Sequence, residues 1–232
     1  MDIQGLLEID RQLLLAFNGS GSLFIDSLVL VLTNAYTWIA FYLALAYLVI
    51  KNNGKWSQIM LVVAASGLCI LFSSLVAEGV VKPYVARLRP SLDPSVCNML
   101  HLAKGYTASG YSFFSAHAAN TFSIAVFFSL LVRSRVFTIF IMAWSLLNAW
   151  TRLYLGVHYP SDVIVGLAYG AFVGIIVYLI FMKLYMIVTD KLHFISSQYT
   201  RTGYGFSDID IVHNVLLLTI VYAVIHAAVS AF

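Results

Sequence analysis

The sequence predicts an all-α fold: a polytopic membrane bundle of about six transmembrane helices, entered through an N-terminal interfacial helix. Three observations carry this. Of the 232 residues, 61% are hydrophobic and only 10% are charged, where a soluble domain usually has about 25% charged residues. The mean hydropathy is +0.91. The apolar residues also gather in runs near the roughly 20 residues that cross a hydrocarbon core, separated mostly by short polar loops.

Residues 1–34 are amphipathic: Leu6, Leu7, Leu13, Leu14, Leu15 and Phe17 are interspersed with Asp2, Glu8, Asp10 and Arg11. Asn18-Gly19-Ser20-Gly21-Ser22 is a turn, and the run from Phe24 to Leu32 is broken by Asp26. This segment reads as an interfacial helix followed by a short helix leading into the membrane. Spans are expected at about 35–50, 57–81, 118–132, 136–151, 163–188 and 211–232. The loops between them are 51–56, a long one at 82–116, a tight basic turn at 133–135, the stretch around His158, and a polar loop at 189–210 with Asp190 and Lys191. The expected organisation is an N-terminal segment 1–34, a membrane core 35–188, and a C-terminal loop and span 189–232. The N-terminus lacks the basic region and cleavage site of a signal peptide, so the spans themselves should direct insertion.

Six spans place the loops alternately on two faces. One face carries Lys51, Lys55, Arg133, Arg135, Lys183, Lys191 and Arg201; the other carries Arg11, Lys82, Arg87, Arg89, Lys104 and Arg152. Lys82, Arg89 and Arg152 have a chemical explanation, given below. Without them the count is three against seven, and the positive-inside rule puts the His158 face outside the cytoplasm. The net charge of +3 and the lack of basic stretches interleaved with aromatics point away from a nucleic-acid partner. Cys69 falls in an apolar run and Cys97 in a loop, so neither a disulfide nor a metal-ligand spacing is expected.

Three clusters can carry chemistry. Thr151 to Asp162 contains Arg152, His158 and Asp162 at the spacing R-x5-H-x3-D. Pro160 fits the first turn of a helix, because its missing N–H would have no helical partner there. Asp162 would then lie in that first turn, near enough to His158 for the carboxylate–imidazole pairing that a histidine nucleophile or base needs. Alternatively, Arg152 is an interfacial anchor and Asp162 an ordinary first-turn acid. Lys82 to Pro90 contains K-x6-R-P, with Lys82 and Arg89 stiffened by Pro83 and Pro90. Ser115 and His117 open the third span, where backbone N–H groups and a hydroxyl can meet an anion; the plainer alternative is an N-cap serine and an interfacial histidine. All three clusters fall on one face. Three cations, Lys82, Arg89 and Arg152, around two histidines suit a bound phosphoryl group. No Walker loop and no carboxylate cluster for magnesium are present, so no cofactor and no metal are expected. Glu78 lies one turn before Lys82 and should pair with it. His101, His193, His213 and His226 match no motif and read as structural or interfacial.

With these residues in place, the chain resembles the type-2 phosphatidate phosphatase superfamily, the lipid phosphate phosphatase and vanadium haloperoxidase-like group, and within it a bacterial membrane member. The family signature is K-x6-R-P, then P-S-G-H, then S-R-x5-H-x3-D. Lys82, Arg89 and Pro90 meet the first in full. The second appears as Phe114-Ser115-Ala116-His117, and the third has Thr151 in the serine position with Arg152, His158 and Asp162 intact. The resemblance covers about residues 24–188. It implies a lipid phosphate or diphosphate phosphatase, and with the loop charges above the expectation is a bacterial inner-membrane enzyme whose site faces the periplasm or exterior. His158 would attack phosphorus and form a phosphohistidine, Asp162 would orient the ring, and His117 would protonate the leaving oxygen. Lys82, Arg89, Ser115 and Arg152 would hold the phosphate. Undecaprenyl diphosphate, lipid A and phosphatidate-type lipids are all compatible, because the motifs read only phosphate. Ala116 adds a methyl group where the family glycine lets backbone approach the phosphate. The alternative outside enzymology is a lipid-binding or transport protein with a decayed site; the soluble habit of vanadium haloperoxidases sets that activity apart from this chain.

Overall fold

A computed structural model describes residues 3–189 and 197–231. Asp2, Asp190, Lys191 and His193, named above, lie outside the described residues. All regular elements among the described residues are helical, apart from one isolated bridge between Tyr199 and Gly205.

Two helices precede the bundle: α1 (Ile3–Phe17) and α2 (Leu23–Thr33), the latter capped by the Ser22 hydroxyl. A 3-10 turn (Ala35–Trp38) leads into α3 (Ile39–Asn52). Then come α4 (Trp56–Val76), a π-helical turn (Ala77–Val81) and the short α5 (Lys82–Val85). Pro83 accounts for this sequence of turns: it has no N–H to give and its ring crowds the carbonyl four residues back, so a wider turn before it relieves both. After the long loop come α6 (Ala116–Val132), α7 (Arg135–Tyr154), α8 (Pro160–Val188) and α9 (Phe206–Ala231).

The six expected spans are therefore α3, α4, α6, α7, α8 and α9, and α1 is the expected amphipathic entry helix. Five of the six, counting α3 with its 3-10 turn, are long and apolar enough to cross a membrane. The sixth, α6, has 17 residues, a rise of about 26 Å. It packs against α4, α7 and α8, and most of its side chains are buried by protein rather than offered to lipid. A helix at the centre of a bundle need not match the hydrocarbon thickness by itself. The outer faces of α3, α4, α7, α8 and α9 carry exposed Leu43, Leu71, Ile139, Ile180 and Leu218 respectively, an apolar exterior suited to acyl chains.

The tightest pairing is α6 against α8, and small residues allow it. A Cβ built on Gly166 would lie 2.6 Å from the Ser115 carbonyl oxygen, one on Gly170 2.5 Å from that of Ala119, and one on Gly174 2.7 Å from that of Ser123. Glycine at every fourth position lets the two backbones touch. Around this pair, Trp38, Phe41, Phe127, Trp144 and Phe181 form the main apolar core. The N-termini of α6 and α8, the C-terminus of α7 and the segment after α5 all meet at one end of the bundle, where α1 also lies.

Candidate active site

At that end, α8 begins as the sequence predicts, with Pro160 in its first position. The Tyr159 N–H donates to Asp162 Oδ2 at 2.9 Å, which caps the helix and fixes the carboxylate. Asp162 is fully buried and His158 is 2% exposed. His158 Nδ1 lies 3.6 Å from Asp162 Oδ2, longer than a hydrogen bond. The Ser112 hydroxyl bridges the gap: it donates to Asp162 Oδ2 and lies 3.5 Å from His158 Nδ1. On the other side of the ring, Nε2 lies 3.2 Å from Arg89 Nη1. With its Nδ1 proton turned toward Asp162 and Ser112, the ring keeps its Nε2 lone pair toward Arg89. Burial above all, with the Arg152 and Arg89 charges added and Asp162 opposing, holds the His158 imidazole down at about 4. It is neutral at neutral pH.

The cations approach from three elements. After α5 the chain turns through a left-handed Ala86 (φ 50°), which sends Arg87, Leu88 and Arg89 across the site. Arg89 is buried, and donates to the carbonyls of Ser109, Gly110 and Val157 at 2.9, 3.2 and 3.0 Å. Lys82 is buried too and pairs with Glu78, as expected from their spacing. Lys82 and Arg89 both sit within the electrostatic reach of Arg152. Arg152, in the last turn of α7, donates to the Thr33 hydroxyl at 2.6 Å, while its buried Nε has no partner.

Ser115 is the N-cap of α6, its hydroxyl accepting from the Ala118 N–H, and its own N–H donates to the Asp162 carbonyl at 3.0 Å. Capping and site placement thus coincide in one residue. His117 lies one turn into α6, within reach of Asn148 and the Arg152 charge, and its buried Nε2 has no partner. Phe114 and Ala116, the departures from P-S-G-H, are buried in a small cluster with Ala77 and Ala119, and Phe114 packs on Tyr169 with ring centroids 5.0 Å apart. The structure therefore brings Lys82, Arg89, Ser115, His117, Arg152, His158 and Asp162 to one end of the bundle. His158 meets Arg89 directly and Asp162 chiefly through the Ser112 hydroxyl; Ser115 reaches them through the backbone of Asp162.

Residues 58–186, which contain all seven of these positions, match the PAP2 superfamily. The chain belongs to the PAP2 superfamily. It is 38% identical over 183 residues to a lipid A 4'-phosphatase of Bacteroides thetaiotaomicron, covering 78% of this chain and 81% of that one. It is 32% identical over 178 residues to a lipid A 4'-phosphatase of Porphyromonas gingivalis, covering 76% and 75%. The crystal structure of a transmembrane PAP2 type phosphatidylglycerolphosphate phosphatase from Bacillus subtilis matches with a TM-score of 0.54 at 19% identity, over 78% of this chain and 88% of that one. This last likeness concerns the fold. The PAP2 assignment makes the chain a hydrolase, a multi-pass membrane lipid phosphatase.

Around this candidate site, sequence reasoning missed four residues that touch its members. Arg87 counted only as a loop charge, yet its Nη1 donates to Asp162 Oδ1 at 2.7 Å. Ser112 is buried against the same carboxylate. Thr33 and Asp10 reach the site residues from the N-terminal segment, Asp10 through Arg87 at 2.7 Å. Sequence carries no local signal for the last three, because each acts on a partner tens of residues away. For Arg87 a signal was present but unused: it is a third basic residue beside Lys82 and Arg89 on a face poor in positive charge.

Proposed function

We propose that the chain removes a phosphomonoester from a lipid A-type glycolipid, through a phosphohistidine on His158, at the outer face of a bacterial inner membrane. The observation that carries the mechanism is the buried, neutral His158, set between Asp162 and Arg89 within a cluster of three cations. The lipid A 4'-phosphatases among its relatives support the substrate class.

His158 Nε2 attacks phosphorus, an N–P bond forms, and the bond from phosphorus to the lipid oxygen breaks. Lys82, Arg89, Ser115 and Arg152 take the phosphoryl oxygens and stabilise the charge spread over them in transfer. The partnerless donor on Arg152 supports this role, since a buried guanidinium nitrogen without a partner is costly. His117 gives its proton to the departing lipid oxygen and then takes one from the water that cleaves the N–P bond. Asp162 holds the His158 ring and offsets the positive charge it gains on attack. Arg89 lies against His158 and the Arg152 charge reaches it, so protein cations can stabilise the transferring group in the way a metal would, which supports a metal-independent reaction.

The test uses purified protein with phosphate-labelled lipid A, undecaprenyl diphosphate and phosphatidate in separate reactions. Lipid A should lose one phosphate fastest, in excess chelator, with inhibition by vanadate. Acid quench should trap a base-stable, acid-labile label on the protein, absent in His158→Ala. A label that survives in His158→Ala would mean that another residue attacks. Faster turnover of either other lipid would reassign the substrate.

A further inference from the structure

The N-terminal helix lies outside the stretch that matches the family, residues 58–186, yet it puts a buried carboxylate beside the site. Leu14 of α1 is fully buried against Val96 and Tyr159, and Asp10, one turn earlier on the same face, is only 7% exposed. Asp10 Oδ1 accepts the Ser161 N–H at 2.8 Å, an N–H at the start of α8 that would otherwise lack a helical partner. Its Oδ2 accepts the Ser161 hydroxyl at 2.5 Å and Arg87 Nη2 at 2.7 Å. The other terminal nitrogen of Arg87 donates to Asp162 at 2.7 Å and to the Ser161 hydroxyl at 2.8 Å. Tyr159 closes the third side, with the guanidinium carbon 3.8 Å from its ring centroid. One guanidinium is thus divided between two carboxylates, one of which faces His158.

We infer that Asp10 is a positioning residue for the phosphatase reaction, acting through Arg87 to set how much of the Asp162 charge His158 receives. The inference rests on the His158–Asp162 reading above. A planar guanidinium prefers to grip one carboxylate with two parallel hydrogen bonds. Asp10 takes one end of the fork, so Asp162 is held by a single nitrogen and keeps its other oxygen for Ser112 and the His158 side. Without the Asp10 charge, Arg87 can turn both nitrogens on Asp162. The carboxylate is then more fully neutralised, and it does less to support the positive charge that His158 gains when the N–P bond forms. In this buried setting a shift of one hydrogen bond is felt strongly. The loss falls on the chemical step and not on lipid binding.

The experiment compares full-length purified variants by kcat, KM and thermal midpoint. Asp10→Asn should lower kcat roughly tenfold, the scale of one hydrogen bond to a charged group, with KM within about twofold. Asp10→Glu should recover most of the rate. In an Arg87→Gln background Asp10→Asn should change kcat no further. Leu14→Ala loosens the docking of α1 without touching the charge, and should keep kcat at a matched thermal loss. Should Asp10→Asn not fold, Asp10→Ser, which removes the charge but leaves an oxygen to accept from Ser161, frees Arg87 in the same way and should give the same fall in kcat. Wild-type kcat in Asp10→Asn, an equal fall in Leu14→Ala, or an undiminished effect in Arg87→Gln would each overturn the inference. Retained activity in both His158→Ala and Asp162→Asn would instead bring down the mechanism on which it rests.

Discussion

At His158 two demands meet in one ring. In the reaction proposed above the imidazole must be neutral to attack phosphorus, yet it must accept positive charge as the N–P bond forms. Burial, with Arg152 and Arg89 nearby, holds the free ring neutral down to about pH 4, while Asp162 waits to support the charged form. This depression has a measurable consequence for stability. The unfolded chain takes up a proton on this histidine near its ordinary value of 6.5, and the folded chain only near 4. Between those values the unfolded state binds more protons, so stability is fully present above pH 6.5 and falls as pH drops toward 4. The full effect is on the order of 3 kcal/mol. His158→Asn lacks the group and should lose less thermal midpoint than the wild type between pH 7 and pH 4.5 in the same detergent. Equal slopes for the two proteins would mean that the ring is hydrated and titrates normally.

At the scale of elements, the pairing of α6 with α8 decides whether Ser115 and Asp162 meet. The Ser115 N–H donates to the Asp162 carbonyl at 3.0 Å, and the Ser115 carbonyl oxygen lies where a Gly166 methyl would go. Gly166→Ala must push backbone against backbone. It should destabilise by about 1–3 kcal/mol, the usual range for overpacking, and lower kcat by moving the start of α6. Gly67→Ala, in α4 with open space around it, is the control and should gain up to about 1 kcal/mol from helix propensity. A Gly166→Ala variant as stable as wild type would show that the helices pack less closely than described. The spans were legible because apolar runs of membrane length report themselves. The seven motif residues were legible because they cluster within short stretches whose chemistry is unusual for a membrane edge. The α6–α8 contact was written as glycine at every fourth position from Gly166 to Gly174, a signal that was present and left unused. Asp10, Thr33 and Ser112 were not legible, since nothing near them in sequence says which distant partner they meet.

At the scale of the whole molecule, the remaining question is which way the bundle sits in its membrane, and the structure sharpens the charge argument. Three basic residues at the site end had no chemical explanation in the sequence: Arg11, Arg87 and Lys104. Arg87 now has one, in its two carboxylate partners. That leaves Arg11 and Lys104 at the site end, against Lys51, Lys55, Arg133, Arg135, Lys183 and Arg201 among the described residues toward the other. The proposed outward-facing site rests on this imbalance and the positive-inside rule. Exposed positions on the two ends can report it in intact cells, in a background with Cys69 and Cys97 replaced. Asn98 is exposed in the loop above the site, and Gly54 and Arg135 are exposed at the opposite end. A Cβ at Gly54 meets nothing within 4 Å, so Gly54→Cys disturbs little. Asn98→Cys should react with a membrane-impermeant thiol reagent without permeabilisation, and Gly54→Cys and Arg135→Cys only after it. The reverse pattern would place the phosphatase site in the cytoplasm. It would also make the Asp10–Arg87 pairing a feature of the inner leaflet, where a lipid A-type substrate would have to be met before export.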